Sequence, residues 1–145
     1  MWLIFALLAA FLWGVVYFFD EHVYQHISVT TSIAITALFA SIVFGVLAFV
    51  RGHLAKDIQT LFGADHKTLL MMLVVLVGTV GAELCIGLAI ANKNATVAGL
   101  IEITYPLFIA LVGYLLIREN NLNAATIFAA LLIFSGVATI FFFNR

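Results

Sequence analysis

The chain has 145 residues, of which 66% are hydrophobic and 9% are charged, and its net charge at pH 7 is −1. A soluble domain carries roughly 25% charged residues, so this composition excludes one and indicates an integral membrane protein. The basic residues are scattered along the chain, which argues against nucleic acid as a partner. We therefore expect a small solute, membrane lipid or another membrane protein as the partner.

Continuous apolar runs predict an all-α protein with five membrane-spanning helices, forming a single domain over residues 1–145. A bilayer core of about 30 Å takes about 20 helical residues, and each run is long enough. The runs do not alternate between apolar and polar residues, which disfavours a β-barrel. The predicted spans cover about residues 2–19, with room to extend to Tyr24, then 30–50, 68–91, 95–117 and 123–143.

The first span begins at Met1 without a preceding basic segment and runs past Tyr17, so we interpret it as a spanning helix rather than a cleaved signal. Trp13 and Tyr17 share a helix face with Asp20 and Glu21, one turn further on. Aromatic rings on such a face could bind an organic cation through cation–π attraction. For Tyr17, a place in the aromatic belt at the membrane surface is an equally good interpretation.

The long connection over residues 51–67 predicts a short amphipathic helix in the membrane interface. Its apolar residues recur at helical spacing, and Gly63 follows them as a stop signal. These apolar residues are Leu54, Ile58, Leu61 and Phe62. The alternative is a plain polar loop.

The basic residues give a weak prediction of orientation. Five spans place the termini on opposite sides of the membrane, and more basic residues fall on the side of the N-terminus than on the other. The positive-inside rule then favours a cytoplasmic N-terminus, although so small a bias would allow insertion both ways. The residues on the N-terminal side are Arg51, Lys56, Lys67 and Arg118; those on the other are Lys93 and Arg145.

Two carboxylic acids, Glu83 and Glu102, lie within apolar spans, where a charge costs from about 2.5 kcal/mol upward. They stand at similar distances on either side of Lys93, in the turn between the third and fourth spans, so we expect both near the middle of the membrane. Two carboxylates at one depth cannot both ionise easily and could share a proton, which a cation would displace. The alternative is that each is permanently protonated and hydrogen-bonds a neighbouring helix.

Pro106 strengthens the interpretation of Glu102 as a functional residue. A proline inside a helix cannot donate to the carbonyl four residues earlier, which here belongs to Glu102, so we predict a helix kink at the site. Tyr105, the neighbour of Pro106, could hydrogen-bond a carboxylate or line a cavity, or simply pack.

Two further patterns are weak. His22 and His26 lie one helical turn apart, but no third and fourth ligand at fixed spacing supports a metal site. Asn94-Ala95-Thr96 fits a glycosylation acceptor, yet its position at the start of the fourth span favours a helix cap.

Several short motifs resemble those of the drug/metabolite transporter superfamily. The segment "LLAAFLWGVVYFFDE" is similar to the Trp-Gly first helix of that group, and "AGLIEITYPLFIALVGYLLIREN" followed by "IFAALLIFSGVATI" resembles the end of an EamA-type domain. The matching positions are Pro106, Glu119, Ser135, Gly136 and Val137. The resemblance covers nearly the whole chain. It implies a secondary transporter built as one half of an inverted-repeat fold, and it names no substrate.

The residues and the resemblance together predict a secondary transporter for a small cationic or amphipathic metabolite or drug, driven by proton exchange. We expect it in the inner membrane of a prokaryote. Its site is expected between the first, third and fourth spans, formed by Glu102, Glu83, Trp13, Tyr17 and Tyr105. No nucleophile–base pair, phosphate loop or dinucleotide motif supports an enzyme, and we expect no cofactor or metal. Two alternatives are a membrane subunit that assists translocation of a lipid-linked substrate and an assembly protein without transport.

A single five-helix unit cannot easily enclose a site at mid-membrane, so we also predict a homodimer, with antiparallel chains favoured by the weak charge bias. The fifth span is the expected contact because its small residues allow close helix approach. They are Ala125, Ala129, Ala130, Ser135 and Gly136.

Overall fold

The computed structural model describes residues 1–117 and 124–143, and every regular element in these ranges is a helix. Five of its segments are long and apolar enough to cross a membrane, which confirms the predicted all-α fold with five spans. These segments are Trp2–Val23, Val29–Val50, His66–Asn92, Ala95–Leu116 and Ala124–Phe143. Their lengths follow from the bilayer, because about 20 residues of helix are needed to cross it.

Seven α-helices and one π-helical segment make up the described chain. They are α1 (Trp2–Val23), α2 (Val29–Val50), α3 (Leu54–Phe62), α4 (His66–Asn92), α5 (Ala95–Glu102), α6 (Tyr105–Val112), the π-helical segment Gly113–Ile117, and α7 (Ala124–Phe143). The predicted boundaries of the spans are correct to within a few residues.

The connection after α2 contains the predicted short helix, α3, and Gly63 follows it as predicted. The helix packs against α2, while Ile58 and Phe62 are 45% and 86% exposed. A position in the membrane interface, where such apolar side chains would be covered by lipid, stays a prediction.

Polar side chains cap the start of several helices. Asn94 accepts a hydrogen bond from the Val97 amide at 2.8 Å, which confirms its interpretation as a helix cap. Asp65 accepts from the Thr68 amide at 3.3 Å at the start of α4. Hydrogen bonds from Thr68 hold the pKa of Asp65 below its ordinary value. Both caps satisfy backbone amides that a helix leaves without an internal partner.

The fourth span is not the single kinked helix that the sequence predicts. It is divided into α5 and α6, with Ile103 and Thr104 between them, and Pro106 lies in the first turn of α6. The Thr104 hydroxyl donates to the Ile101 carbonyl at 2.9 Å, and the Leu107 amide donates to the Thr104 carbonyl at 3.0 Å. The physical reason is that proline fits the first turn of a helix, where no internal amide bond is required, better than it fits the interior.

The buried residues of the described chain gather at one end of the bundle, which we call the packed end: the start of α2 together with residues 87–98. They are Val29, Ser32, Gly87, Ile90, Ala95 and Ala98. A Cβ atom added at Gly87 would lie 2.5 Å from Cγ1 of Val29 and 3.2 Å from the Tyr24 hydroxyl, so the backbones meet closely there. Small residues make this approach possible.

The last helix, α7, makes its main contact with α5. Its small residues Ala125, Ala129, Ser135 and Gly136 are exposed. A role for this surface in a dimer stays a prediction.

Candidate functional site

A groove of about 820 Å³ lies between α1, α4 and the break that separates α5 from α6. All five residues predicted for the site contribute to its lining: Trp13, Tyr17, Glu83, Glu102 and Tyr105. The groove also lies between the three spans from which the site was expected. Their side chains are therefore near enough to act together, although they come from distant parts of the sequence.

Tyr17 and Glu102 form the central contact of the groove. The Tyr17 hydroxyl donates to Oε2 of Glu102 at 2.6 Å, a distance typical of a strong hydrogen bond to a carboxylate. The Tyr17 ring lies over Gly99, where an added Cβ atom would be 3.5 Å from the ring. Tyr17 is half-buried and faces α5, which favours the cavity interpretation over an aromatic belt exposed to lipid.

Small and aromatic residues of α1 form one wall of the groove. The Trp13 and Tyr17 rings are 5.5 Å apart between centroids, at an angle of 47°. Toward the start of the helix the wall consists of Ala6, Ala9, Ala10 and Gly14. An indole and a phenol side by side offer π faces to a cation, and the small residues leave room for a solute.

Glu83 reaches the groove from α4. It is half-buried and lies close enough to Glu102 and Asp20 to interact with their charges. The adjacent Tyr24 lies just beyond the end of α1, where burial and the charge of Asp20 raise its pKa to about 12. Tyr24 thus adds a phenol hydroxyl beside Asp20.

The break in the fourth span lies directly beside Glu102, the last residue of α5. Tyr105, the first residue of α6, lines the groove but is 57% exposed. Pro106 follows it and has no amide hydrogen to donate to the Glu102 carbonyl. Irregular backbone within a spanning segment is typical of positions that line a cavity in a transporter.

One residue of this region was not assigned a role from the sequence. Glu21 of α1 accepts a hydrogen bond from the Ala95 amide at the start of α5, at 2.7 Å, and it also lines the groove. The sequence places Glu21 on the same helix face as Tyr17, but nothing local connects it with a residue 74 positions away.

The remaining predicted positions do not add to the site. Within residues 1–117 and 124–143, no group of three or more His, Cys, Asp or Glu side chains is arranged to hold a metal ion. His22 interacts through Nδ1 with the Phe18 carbonyl at 2.9 Å. Arg118, Glu119 and Arg145 lie outside the described residues.

Five apolar spans, three of which line a groove with two carboxyl groups, define a multi-pass integral membrane protein with the features of a transporter. The chain matches the profile of the EamA-like transporter family over residues 1–142, and it belongs to that family. This confirms the resemblance to the drug/metabolite transporter superfamily. No curated protein and no solved structure matches the chain significantly. Membership indicates membrane transport, and members of this family are generally not enzymes.

Proposed function

We propose that the chain is a secondary transporter that exchanges protons for a small cationic or amphipathic solute in the groove. The observation that carries the proposal is the 2.6 Å hydrogen bond from Tyr17 to Glu102, within a lining that also contains Glu83. Glu102 carries the exchangeable proton, and Glu83 modifies how tightly it is held through like-charge repulsion.

The groove suits a solute with a positive charge and an apolar body. A cation entering it meets two carboxylates together with the Trp13 and Tyr17 rings, and its apolar part meets the small residues of α1. Because a bound cation and a proton compete for the same carboxylate, binding of one favours release of the other. That competition is the physical basis of exchange.

The complete transporter is proposed to be a homodimer in the inner membrane of a prokaryote, with the two chains inverted relative to each other. Support comes from the groove itself: Trp13 and Tyr105 in its lining are 48% and 57% exposed, so one chain encloses it incompletely. Tags on each terminus, probed from both sides of the membrane, should be accessible on both. A single fixed orientation would contradict the inverted arrangement.

A membrane subunit that assists translocation of a lipid-linked substrate is the second candidate. The incomplete enclosure of the groove favours it, because a lipid tail could remain in the bilayer while a polar group enters the groove. Under this hypothesis, transport would need no proton exchange at Glu102.

Proton release distinguishes the two functions. Purified protein in weakly buffered detergent solution should release protons when a panel of organic cations is added, and the Glu102→Gln variant should release fewer. The Asp57→Asn variant removes an exposed carboxyl on α3 and serves as the matched control. Equal release from all three proteins, or release from none, would contradict proton exchange at Glu102.

A further inference from the structure

The contact surface of α1 and α5, which we call the α1–α5 seam, contains two hydrogen bonds that run in opposite directions. Glu21 of α1 accepts from the Ala95 amide of α5 at 2.7 Å. Tyr17 of α1 donates to Glu102 of α5 at 2.6 Å, and its ring covers Gly99 between the two contacts. Each helix therefore supplies one acid to the other.

The spacing of these residues places all of them on facing sides of the two helices. Tyr17 and Glu21 are one turn apart on α1, and Ala95, Gly99 and Glu102 follow one another at helical spacing on α5. Tyr17 pairs with the end of α5 and Glu21 with its start, so the helices run antiparallel. Together the contacts fix how far α5 is shifted along α1.

The Glu21 contact adds a link between helices rather than only a cap on one helix. Asn94 already caps the start of α5 by accepting from the Val97 amide at 2.8 Å. The carboxylate of Glu21 approaches the same helix start from α1, where the helix dipole favours negative charge. Asn94 thus stabilises α5 locally, while Glu21 attaches it to a different span.

This link lies where the groove meets the packed end. Ala95 is 9% exposed and belongs to the core with Ile90 and Ala98, and both Ala95 and Glu21 line the groove. Their contact joins α1 and α5 at this point, so a solute that leaves the groove between these two helices would have to separate them.

We propose that Glu21 is a latch: a positioning residue that holds the start of α5 against α1, closes the groove at the packed end and keeps Glu102 within reach of Tyr17. The latch rests on the proposed transport function, because its role is to control access to the groove. The substrate passes when the α1–α5 seam opens, and the seam opens only when the carboxylate of Glu21 leaves the Ala95 amide.

The seam can be measured without any substrate. Spin labels at Phe19→Cys on α1 and Ile101→Cys on α5 report the separation of the two helices, because both side chains are exposed, at 59% and 46%, and neither lines the groove. The background variant Cys85→Ser removes the exposed native cysteine. The latched protein should give mainly one distance between the labels, shorter than the distance in protein whose seam is open.

The Glu21→Ala variant should add a population with a longer distance, raising the ratio of open to closed protein roughly tenfold, as expected for loss of a hydrogen bond to a charged group. The Asn94→Ala variant is the matched control, because it removes a cap from the same helix start without touching α1. It should leave the distances unchanged. Glu21→Gln keeps an acceptor oxygen and should restore most of the short distance.

Three results would overturn the latch. Glu21→Ala could leave the distances of the parent protein unchanged, Asn94→Ala could open the seam as much as Glu21→Ala does, or Glu21→Gln could open it as much as alanine. The result is independent of the proposed function, which is tested by proton release at Glu102. If the seam opens in Glu21→Ala while the parent protein releases no protons on addition of organic cations, the latch is retained and the exchange mechanism is removed.

Discussion

The packed end and the groove share α4 and α5, yet they differ sharply in what fills the space between the helices. At the packed end, Ile90 of α4 lies buried with Ala95 and Ala98 of α5, and Gly87 of α4 lies against Val29 of α2. Away from the packed end, α4 and α5 instead place carboxyl groups beside a groove of about 820 Å³. The comparison shows that α4 and α5 pack closely where their side chains are apolar and mostly small. They stay apart where they carry longer acidic side chains.

The strongest test acts on the groove. Glu102→Gln keeps the size of the side chain and an acceptor for Tyr17, but it removes the ionisable group, so proton-coupled transport should fall to background while the fold is retained. The measurement is uptake into liposomes across an imposed pH gradient, with thermal unfolding as the check on folding. Asp57→Asn, on α3, is the control and should transport normally. Normal uptake with an unchanged pH profile in Glu102→Gln would assign the acid to helix packing instead.

The second prediction acts on the packed end. Gly87→Ala places a Cβ atom 2.5 Å from Cγ1 of Val29, a stiff β-branched side chain, and should lower the free energy of unfolding by about 1–3 kcal/mol, as overpacking does. Gly81→Ala is the matched control in the same helix, because an added Cβ there meets no atom within 4 Å. It should leave stability unchanged or raise it slightly. Denaturant titration in detergent micelles measures both, and equal effects would show that α4 is not closely packed at Gly87.

The third prediction separates the two acids of the groove. Glu83→Gln removes one of the two like charges beside the groove, so the optimum of transport should move to lower pH. Transport itself should continue. Uptake measured across a series of pH values provides the test, and an optimum that stays constant or rises would exclude Glu83 as the residue that modifies proton affinity.

The smallest effect is expected far from both regions. Hydrogen bonds from Thr68 lower the pKa of Asp65, so its ionised form stabilises the folded state above the ordinary pKa of an aspartate. That contribution should be lost as the pH falls through the lowered value. Asp65→Ala should therefore be slightly less stable than the parent protein at neutral pH and equal to it in strong acid.

Asp65→Asn is the control, since asparagine also caps helices but does not titrate in this range. Thermal unfolding of the three proteins against pH gives the comparison. A stability difference between Asp65→Ala and the parent that does not change with pH would show that the charge of Asp65 contributes nothing. Transport should be the same in all three, because Asp65 lies outside the groove lining.

The sequence by itself determined the five spans, the short helix α3 and five of the residues that line the groove. Long apolar runs can satisfy their backbone only as helices in a membrane, and an acid within such a run must face protein or water, so Glu83 and Glu102 could be recognised without coordinates. Helical spacing was enough to place the aromatic residues of α1 on one face of the helix. These patterns are local, so they can be recognised in the sequence whatever the arrangement of the helices.

The tertiary structure alone decided how the spans meet. Nothing in the sequence pairs Tyr17 with Glu102 or Glu21 with Ala95, because these contacts join residues 85 and 74 positions apart and depend on how far α5 is shifted along α1. The division of the fourth span was also missed: a proline predicts an irregularity, but whether a helix bends or starts again depends on what surrounds it. Helix register and the space between helices arise from the packing of several distant segments at once, which no single stretch of sequence encodes.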